Sequence, residues 1–436
     1  MYNLRGGFLV RPLAIALTLG CAGALLSSLE EMFPAVSAWV PRTIFPSHAD
    51  PQVAQVILGA IGGSIMTVVS IVFAILLMTL TLASMQFSPR IILGFARDGV
   101  TQWTLGIFLG TFSYCMAALP AARSLPHPFA PVATVLGAML LALSCVAWLL
   151  FFIHHISQAI SVNQIVDKIA SETEAVINDL MPWPRKLSHI TVDERVEALK
   201  WELTISNDVS GYIRFIDVKR LAALAKSYHI KILVLRRVGH FVPEGVPFLK
   251  ISRAERVPPE RVAEVRALFD FGPSRTLQQD VEFGVLQIVD IALKAISPAV
   301  NDPSTAISCV DQLGRILIRV ASREAPESKL YDPPGILRVY VPWITFDRLL
   351  DSAFEQIRMY SKSDVPVSLR MLRALGDIAA TTEDPEIHQI LLDRASRIVA
   401  GCAERLGEHE LREIRARSSA LQNVDSPATA TEQADT

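Results

Sequence analysis

From Pro51 to Pro89 the chain runs 39 residues without one Asp, Glu, Lys, Arg or His, and most of them are apolar. A helix needs only about 20 such residues to cross a hydrocarbon core of about 30 Å, and at about 1.5 Å per residue this run can extend past about 50 Å. It is therefore a membrane segment rather than a core helix, and part of it must tilt, break or project beyond the lipid. Apolar stretches of crossing length also occupy 13–29, 103–122 and 131–153. Four transmembrane helices are expected, at about 10–30, 54–87, 103–122 and 131–154.

Charge is divided unevenly along the chain. Residues 1–154 contain no lysine, six arginines and four acids, whereas the remainder carries 35 basic and 39 acidic side chains. That remainder has the balance of a water-exposed region, and its slight acidity disfavours nucleic acid as a partner. Arg5 and Arg11 precede the first apolar segment, and Arg90 and Arg97 follow the second; Glu30, Glu31, Arg42 and Asp50 fall in the first outer loop. The positive-inside rule then places both termini in the cytoplasm. A cleaved signal peptide is disfavoured because the first apolar run continues past Cys21 through Leu25 and Leu26. The five cysteines lie far apart with no CxxC pair, so they read as buried, inert thiols rather than a disulfide framework or metal site.

Within the second segment Gly59 and Gly63 form a GxxxG, a spacing that lets helix backbones approach closely, either inside one bundle or between subunits. Thr67, Ser70 and Thr79 dot the same helix and could line a pore. The cores of the second, third and fourth helices hold no ionisable residue, which disfavours proton-coupled or ion-coupled carriers and leaves a hydroxyl-lined path open. His154 and His155, at the inner end of the fourth helix, read as interfacial rather than metal-binding. Ser88-Pro89 should turn the chain, and Arg90 can reach lipid phosphate; Gln86 with Arg90 is the alternative, a gate at the mouth.

Two stretches are unusual: SMQFSPRIILGFARD at 84–98, followed by Gln102 and LGIFLGTFSY, and DVEFGVLQIVDIALKAISPAVNDPSTA at 280–306. In this order, after a first apolar segment, they resemble the bacterial predicted-membrane-protein family called domain of unknown function 2254, over roughly residues 8–420. The resemblance implies an integral membrane protein with a few N-terminal helices and a large C-terminal soluble part. It supplies no established activity and hence no catalytic residue to carry over.

After the membrane segments, 157–180 reads as an amphipathic helix continuing inward as a stalk, stopped by Met181-Pro-Trp-Pro184, within a stalk and linker over 157–194. A small β-rich module follows at 195–255, with strands at 211–217 and 230–236, a short helix capped by Asp217, and a hairpin over 239–251 turning at Pro243-Glu244-Gly245. The hairpin's glycine spacing is similar to that of biotinyl and lipoyl carriers, but no lysine stands at its tip, so no cofactor is expected. From 256 to 422 the region is mainly helical, with a short strand at Ile336, helices at 346–361, 367–380 and 385–418, and a disordered tail at 423–436. The expected fold is thus a four-helix membrane bundle, residues 1–156, followed by an α+β cytoplasmic domain, mostly helical with a small β module.

The helix after Asp280 should open with a capping box at Thr276 and Gln279 and be buried on nearly all sides. Asp280, Gln287, Asp290 and Lys294 gather in one sector of it, and Asp290 and Lys294 have ion-pair spacing. Asn301-Asp302-Pro303 starts the next helix, with Asp302 as N-cap; with Thr305 and Lys294 this helix start is a candidate polar or anion site. No Walker loop, Rossmann fingerprint, HExxH or GxSxG is present, and Glu30-Glu31 and Glu383-Asp384 read as loop carboxylates without a neighbouring nucleophile, so no enzyme is expected. A channel-like or transport-like homo-oligomer in the lipid bilayer, with a cytoplasmic sensing or assembly domain for an unidentified ligand or ion, is favoured, because a tether needs one helix and this chain spends four. The alternative is a non-transporting membrane-anchored sensor or scaffold.

Overall fold

The computed structural model describes residues 10–33, 50–86, 99–124, 128–159, 161–182, 199–333 and 335–422. Ser88, Pro89, Arg90 and the tail from 423 lie outside them, as does the side chain of Gln86. The chain divides into an N-terminal unit ending at Gln164 and a C-terminal unit beginning at Ile165.

Among the described residues, four helices of the N-terminal unit are long and apolar enough to cross a membrane. They are α1 (Val10–Met32), α2 (Pro51–Gln86), α3 (Gly99–Ala118) and α4 (Val132–Ala159). The uncharged run becomes α2, 36 residues long, or about 54 Å at the helical rise. Its start is set by Asp50, whose carboxylate accepts from the Gln52 amide at 2.9 Å, with Pro51 in the first helical position.

Close packing of α1 on α3 depends on small residues. A Cβ on Gly23 would stand 2.6 Å from the Tyr114 carbonyl oxygen, and one on Gly106 would stand 2.6 Å from Ile15 Cδ1. Gly110, four residues after Gly106, likewise receives Leu19. The GxxxG that joins helices within the bundle is therefore Gly106-Gly110.

Glu30 and Glu31 are not loop residues; they occupy the last turn of α1. Glu30 is fully buried and accepts from the Ala133 amide (2.8 Å), the Thr134 amide (3.0 Å) and the Thr134 hydroxyl (2.9 Å). A buried carboxylate needs such compensation, and the free amides of the first turn of α4 supply it. Glu31 pairs with Arg123. Cys115, Cys145, Cys309 and Cys402 are buried, but Cys21 lies on an exposed face of α1, contrary to the uniform burial expected.

Instead of one helix running on from the fourth span, α4 ends at Ala159 and a separate α5 covers Val162–Leu180. The two have different patterning: α4 is apolar around its circumference, whereas α5 is amphipathic and buries Ile165, Ile169 and Ile177. Three arginines at four-residue spacing on α9 (Pro303–Ala321) and just beyond it face α5. Arg315 pairs with Glu174 (2.6 Å) and Asp167 (2.8 Å), Arg319 approaches Glu174, and Arg323 donates to the Met181 carbonyl at 2.7 Å.

The C-terminal unit contains two sheets. Strands β1 (Leu203–Ser206), β2 (Gly211–Ile216), β3 (Ile232–Val234), β4 (Phe241–Val242), β5 (Pro247–Ile251), β6 (Phe269–Gly272), β7 (Lys329–Asp332) and β8 (Ile336–Tyr340) form a five-stranded sheet, ordered β1-β5-β3-β8-β7, and a three-stranded one, ordered β4-β2-β6. Among the described residues only β3 and β8 run parallel. The expected hairpin is thus not a hairpin. Pro243 to Val246 does form a turn, with Gly245 at φ +79°, but β4 pairs with β2 while β5 pairs with β1 and β3. Asn207 holds this split open, its side-chain amide donating to Val242 O at 3.2 Å while its backbone pairs with Gly245 and Val246. Strands β6, β7 and β8 also lie beyond 255, so β structure extends well into the mainly helical region. Between the strands lie α6 (Val218–Ser227), capped by Asp217 through the Arg220 amide, and α7 (Pro259–Arg266). Ile213, Ile216, Leu221, Ile232, Phe248 and Leu249 form the core shared by the sheets and α6.

The helical layer is built on α8 (Val281–Ala295), α9, α10 (Phe346–Tyr360), α11 (Val365–Ala379), α12 (Pro385–Ala403) and α13 (Glu408–Gln422). The last two replace the single helix expected over 385–418: the chain turns at 404–407 so that Leu411, Ile414 and Leu421 can be buried against α11 and α12. Arg370 on α11 pairs with Asp311 on α9, and Arg394 on α12 pairs with Asp347 (2.6 Å) and Asp351 (2.7 Å) on α10. Central α8 buries Val285, Ile288, Val289 and Ile291 among them, and a Cβ on its Gly284 would collide with Thr173 of α5.

Candidate functional site

On α2, Gly59, Gly63, Thr67 and Ser70 occupy one exposed face, whereas Thr79 is buried. A Cβ on Gly59 or Gly63 would meet nothing within 4 Å. Four hydroxyls are spent locally: Thr67 donates to Gly63 O (3.2 Å), Ser70 to Met66 O (3.1 Å), Thr79 to Ile75 O (2.8 Å) and Thr81 to Leu77 O (2.8 Å). Gln86 ends α2, and Ser88, Pro89 and Arg90 fall outside the described residues, so the exit or gate is not placed.

The candidate polar site of the C-terminal unit is dispersed. Asp280 to Lys294 spans about 21 Å along a helix axis, so sharing a sector does not bring their side chains together. Asp280 caps the start of α8, Gln287 is buried midway, and Asp290 and Lys294 are half-buried near its end with polar interactions of their own. Asn301 takes the left-handed conformation (φ +49°) in the turn to α9. Asp302 caps α9, accepting from the Thr305 amide at 3.1 Å and hydroxyl at 2.6 Å, and these bonds hold its carboxyl below the usual carboxylate range.

What converges instead is a charged joint at the N-terminus of α8. The expected capping box is absent: Gln279 turns away and its amide brackets the edge of β2, accepting from Ile216 N (2.9 Å) and donating to Ile216 O (3.1 Å). Asp280 is the N-cap, bonding to the Phe283 amide at 3.1 Å, and it also takes a bidentate contact from Arg275, at 2.7 and 2.8 Å. Glu282, in the first turn, accepts from Arg275 (2.8 Å), Arg237 (3.0 Å) and Ser352 of α10 (3.0 Å). Burial pushes the Glu282 carboxyl up, but Arg237 and Arg275 outweigh it and hold it below the usual range. Gly239, at φ +88°, passes over the Arg275–Asp280 pair so closely that any side chain there would collide with both. Beside the joint runs a narrow cleft lined by Leu180, Met181, Arg237, Asp280, Trp343 and Ile344.

Here the β3–β4 loop and the segment before α8 meet the start of α8 on matched charge, and α10 joins them through the Ser352 hydroxyl. No cluster of metal-ligating residues exists among the described residues, and both guanidiniums are paired with carboxylates. The arrangement fixes elements relative to one another. Arg237, Arg275 and Glu282 were absent from the sequence candidates. One signal was available: Glu282 is a lone charge on an otherwise apolar face, and such a charge requires a partner.

Comparison with known proteins gives a family model described as predicted membrane protein, domain of unknown function 2254, matching residues 5–377. Uncharacterised proteins of Mycobacterium tuberculosis and Mycobacterium bovis are each 30% identical over 440 residues, covering 98% of this chain and 82% of the relative. No solved structure matches.

Proposed function

Since the chain belongs to the predicted-membrane-protein family of domain of unknown function 2254, we propose that it is a membrane-anchored sensor or scaffold whose bundle holds the C-terminal unit at the bilayer and does not itself conduct. The observation that carries this reading is the fate of four α2 hydroxyls, those of Thr67, Ser70, Thr79 and Thr81, each of which returns its proton to a carbonyl of its own helix. A solute path needs side chains free to replace water around the solute. Polar groups inside the bundle are also matched: the Trp148 indole donates to the Thr104 hydroxyl at 2.8 Å, and the Tyr114 hydroxyl to the Thr134 carbonyl at 3.1 Å. The arginines flanking the spans favour both termini in the cytoplasm, and the mycobacterial relatives favour a bacterial inner membrane. No enzymatic step is assigned.

Purified protein in liposomes tests this. Ion flux under voltage, tension and added solutes should not exceed that of protein-free vesicles; sustained flux overturns the proposal.

A second reading, an oligomeric channel built around the outer face of α2, is favoured by one observation: Gly59, Gly63, Thr67 and Ser70 face away from the rest of their own bundle. In a Cys21→Ser background, Ser70→Cys should cross-link copies under either reading if α2 is the interface. Only the channel predicts a flux that thiol reagents at position 70 block.

A further inference from the structure

The β3–β4 loop carries His240 to the edge of the charged joint. The ring is half-buried, and its Nδ1, closed off from solvent, has no hydrogen-bond partner among the described residues. Arg237 of the same loop, Arg275 before α8 and Glu282 on α8 all act on it electrostatically, and Arg236 adds a cation from an exposed position. Glu282 cannot turn to neutralise an imidazolium without giving up a partner. Its Oε2 already serves Arg237 and Arg275, and its Oε1 serves Ser352. With Asp280 committed to Arg275, two carboxylates balance two guanidiniums, and the joint is charge-matched only while His240 is neutral.

We propose that His240 makes this joint a pH-sensitive latch, in which protonation of the ring adds an uncompensated positive charge and loosens the contacts holding the β3–β4 loop to α8. The released side would include Arg237, which also lines the cleft closed by Leu180 and Met181 at the end of α5. The latch would thus report acidification to the helix that follows the last span in sequence.

Burial first, and Arg237 second, push the imidazole below its ordinary value, so it is neutral near neutral pH. The closed joint binds fewer protons than the loosened one. It is therefore strongest above the ordinary histidine value of about 6.5 and weakens as pH falls from there toward the depressed value. The inference concerns the C-terminal unit alone and stands whether or not the bundle conducts.

Hydrogen exchange on the full chain in lipid nanodiscs, corrected for the intrinsic rate at each pH, reads the latch. Between about pH 7.5 and about pH 5.5, a range that avoids carboxylate titration, segments 237–240 and 276–283 should exchange several-fold faster while α11 is unchanged. His240→Gln should abolish that acceleration. Arg236→Gln removes an exposed cation that opposes protonation and should move the transition to higher pH without disturbing the fold. The proposal is overturned if the wild type shows no acceleration, if His240→Gln shows the same one, or if Arg236→Gln leaves the transition in place. Should His240→Gln fail to fold, the Arg236→Gln shift decides.

Discussion

Gly106-Gly110 on α3 and Gly59-Gly63 on α2 have the same spacing in the same bundle and meet opposite surroundings. The first pair receives Ile15 and Leu19 of α1, whereas the second would accept a Cβ without touching anything. A four-residue glycine spacing therefore establishes only that a helix has a flat side; the neighbour that uses it depends on which way the side is turned. The same contrast divides two carboxylates of the C-terminal unit. Asp280 and Asp302 both cap helices, but Asp280 is 3% exposed and locked to Arg275, while Asp302 is half-buried and bonds within its own turn.

The sharpest way to break the comparison in the bundle is Gly23→Val on α1. The obstacle there is backbone, the carbonyl oxygen and Cα of Tyr114, which cannot rotate away as a side chain can. The helices must separate, at a cost of about 3 kcal/mol, seen as a lowered thermal midpoint in detergent. Gly59→Val should leave that midpoint nearly in place. Equal losses for the two variants would refute the assignment of faces.

Asp280→Ala should rank next. It removes a cap and leaves the buried Arg275 guanidinium with Glu282 as its remaining carboxylate, which Arg237 already claims. The expected loss is about 2–3 kcal/mol, and Asp280→Asn should recover the cap but not the ion pair. Asp302→Ala should cost only about 1 kcal/mol, the ordinary worth of an N-cap. Because the Asp302 carboxyl titrates below its ordinary value, its contribution is fully present above about pH 4 and is lost as pH falls further. Urea denaturation at two pH values separates this loss from the His240 transition, which lies in a higher window.

These contrasts also explain what could be read from the chain in advance. The four long apolar helices were legible because lipid imposes one dominant rule, a length of apolar residues, and they begin and end within a few residues of that expectation. Asp217 and Asp302 announced helix starts because a cap is written in adjacent residues. The split of β4 from β5 was not legible, because it depends on Asn207, more than thirty residues upstream of Val242. The joint escaped for the same reason: Arg237, Glu282 and Ser352 come from three separate elements, and nothing local relates them. The separation of α4 from α5 was hidden by continuous helical propensity, although the apolar circumference of α4 gives way to the single apolar face of α5.

The smallest expected effect is the most discriminating. Gly59→Ala and Gly63→Ala remove glycine from a helix interior, and in an isolated bundle each should be neutral or stabilising by less than about 1 kcal/mol. If a second copy packs on this face, the added methyl groups hold the backbones apart and self-association weakens even as the protomer gains stability. Thermal midpoint and dimer fraction, measured on the same samples at several protein-to-lipid ratios, should then move in opposite directions. A rise in the midpoint with no change in association would leave the outer face of α2 to lipid alone, and with it the oligomeric channel would lose the observation that favours it.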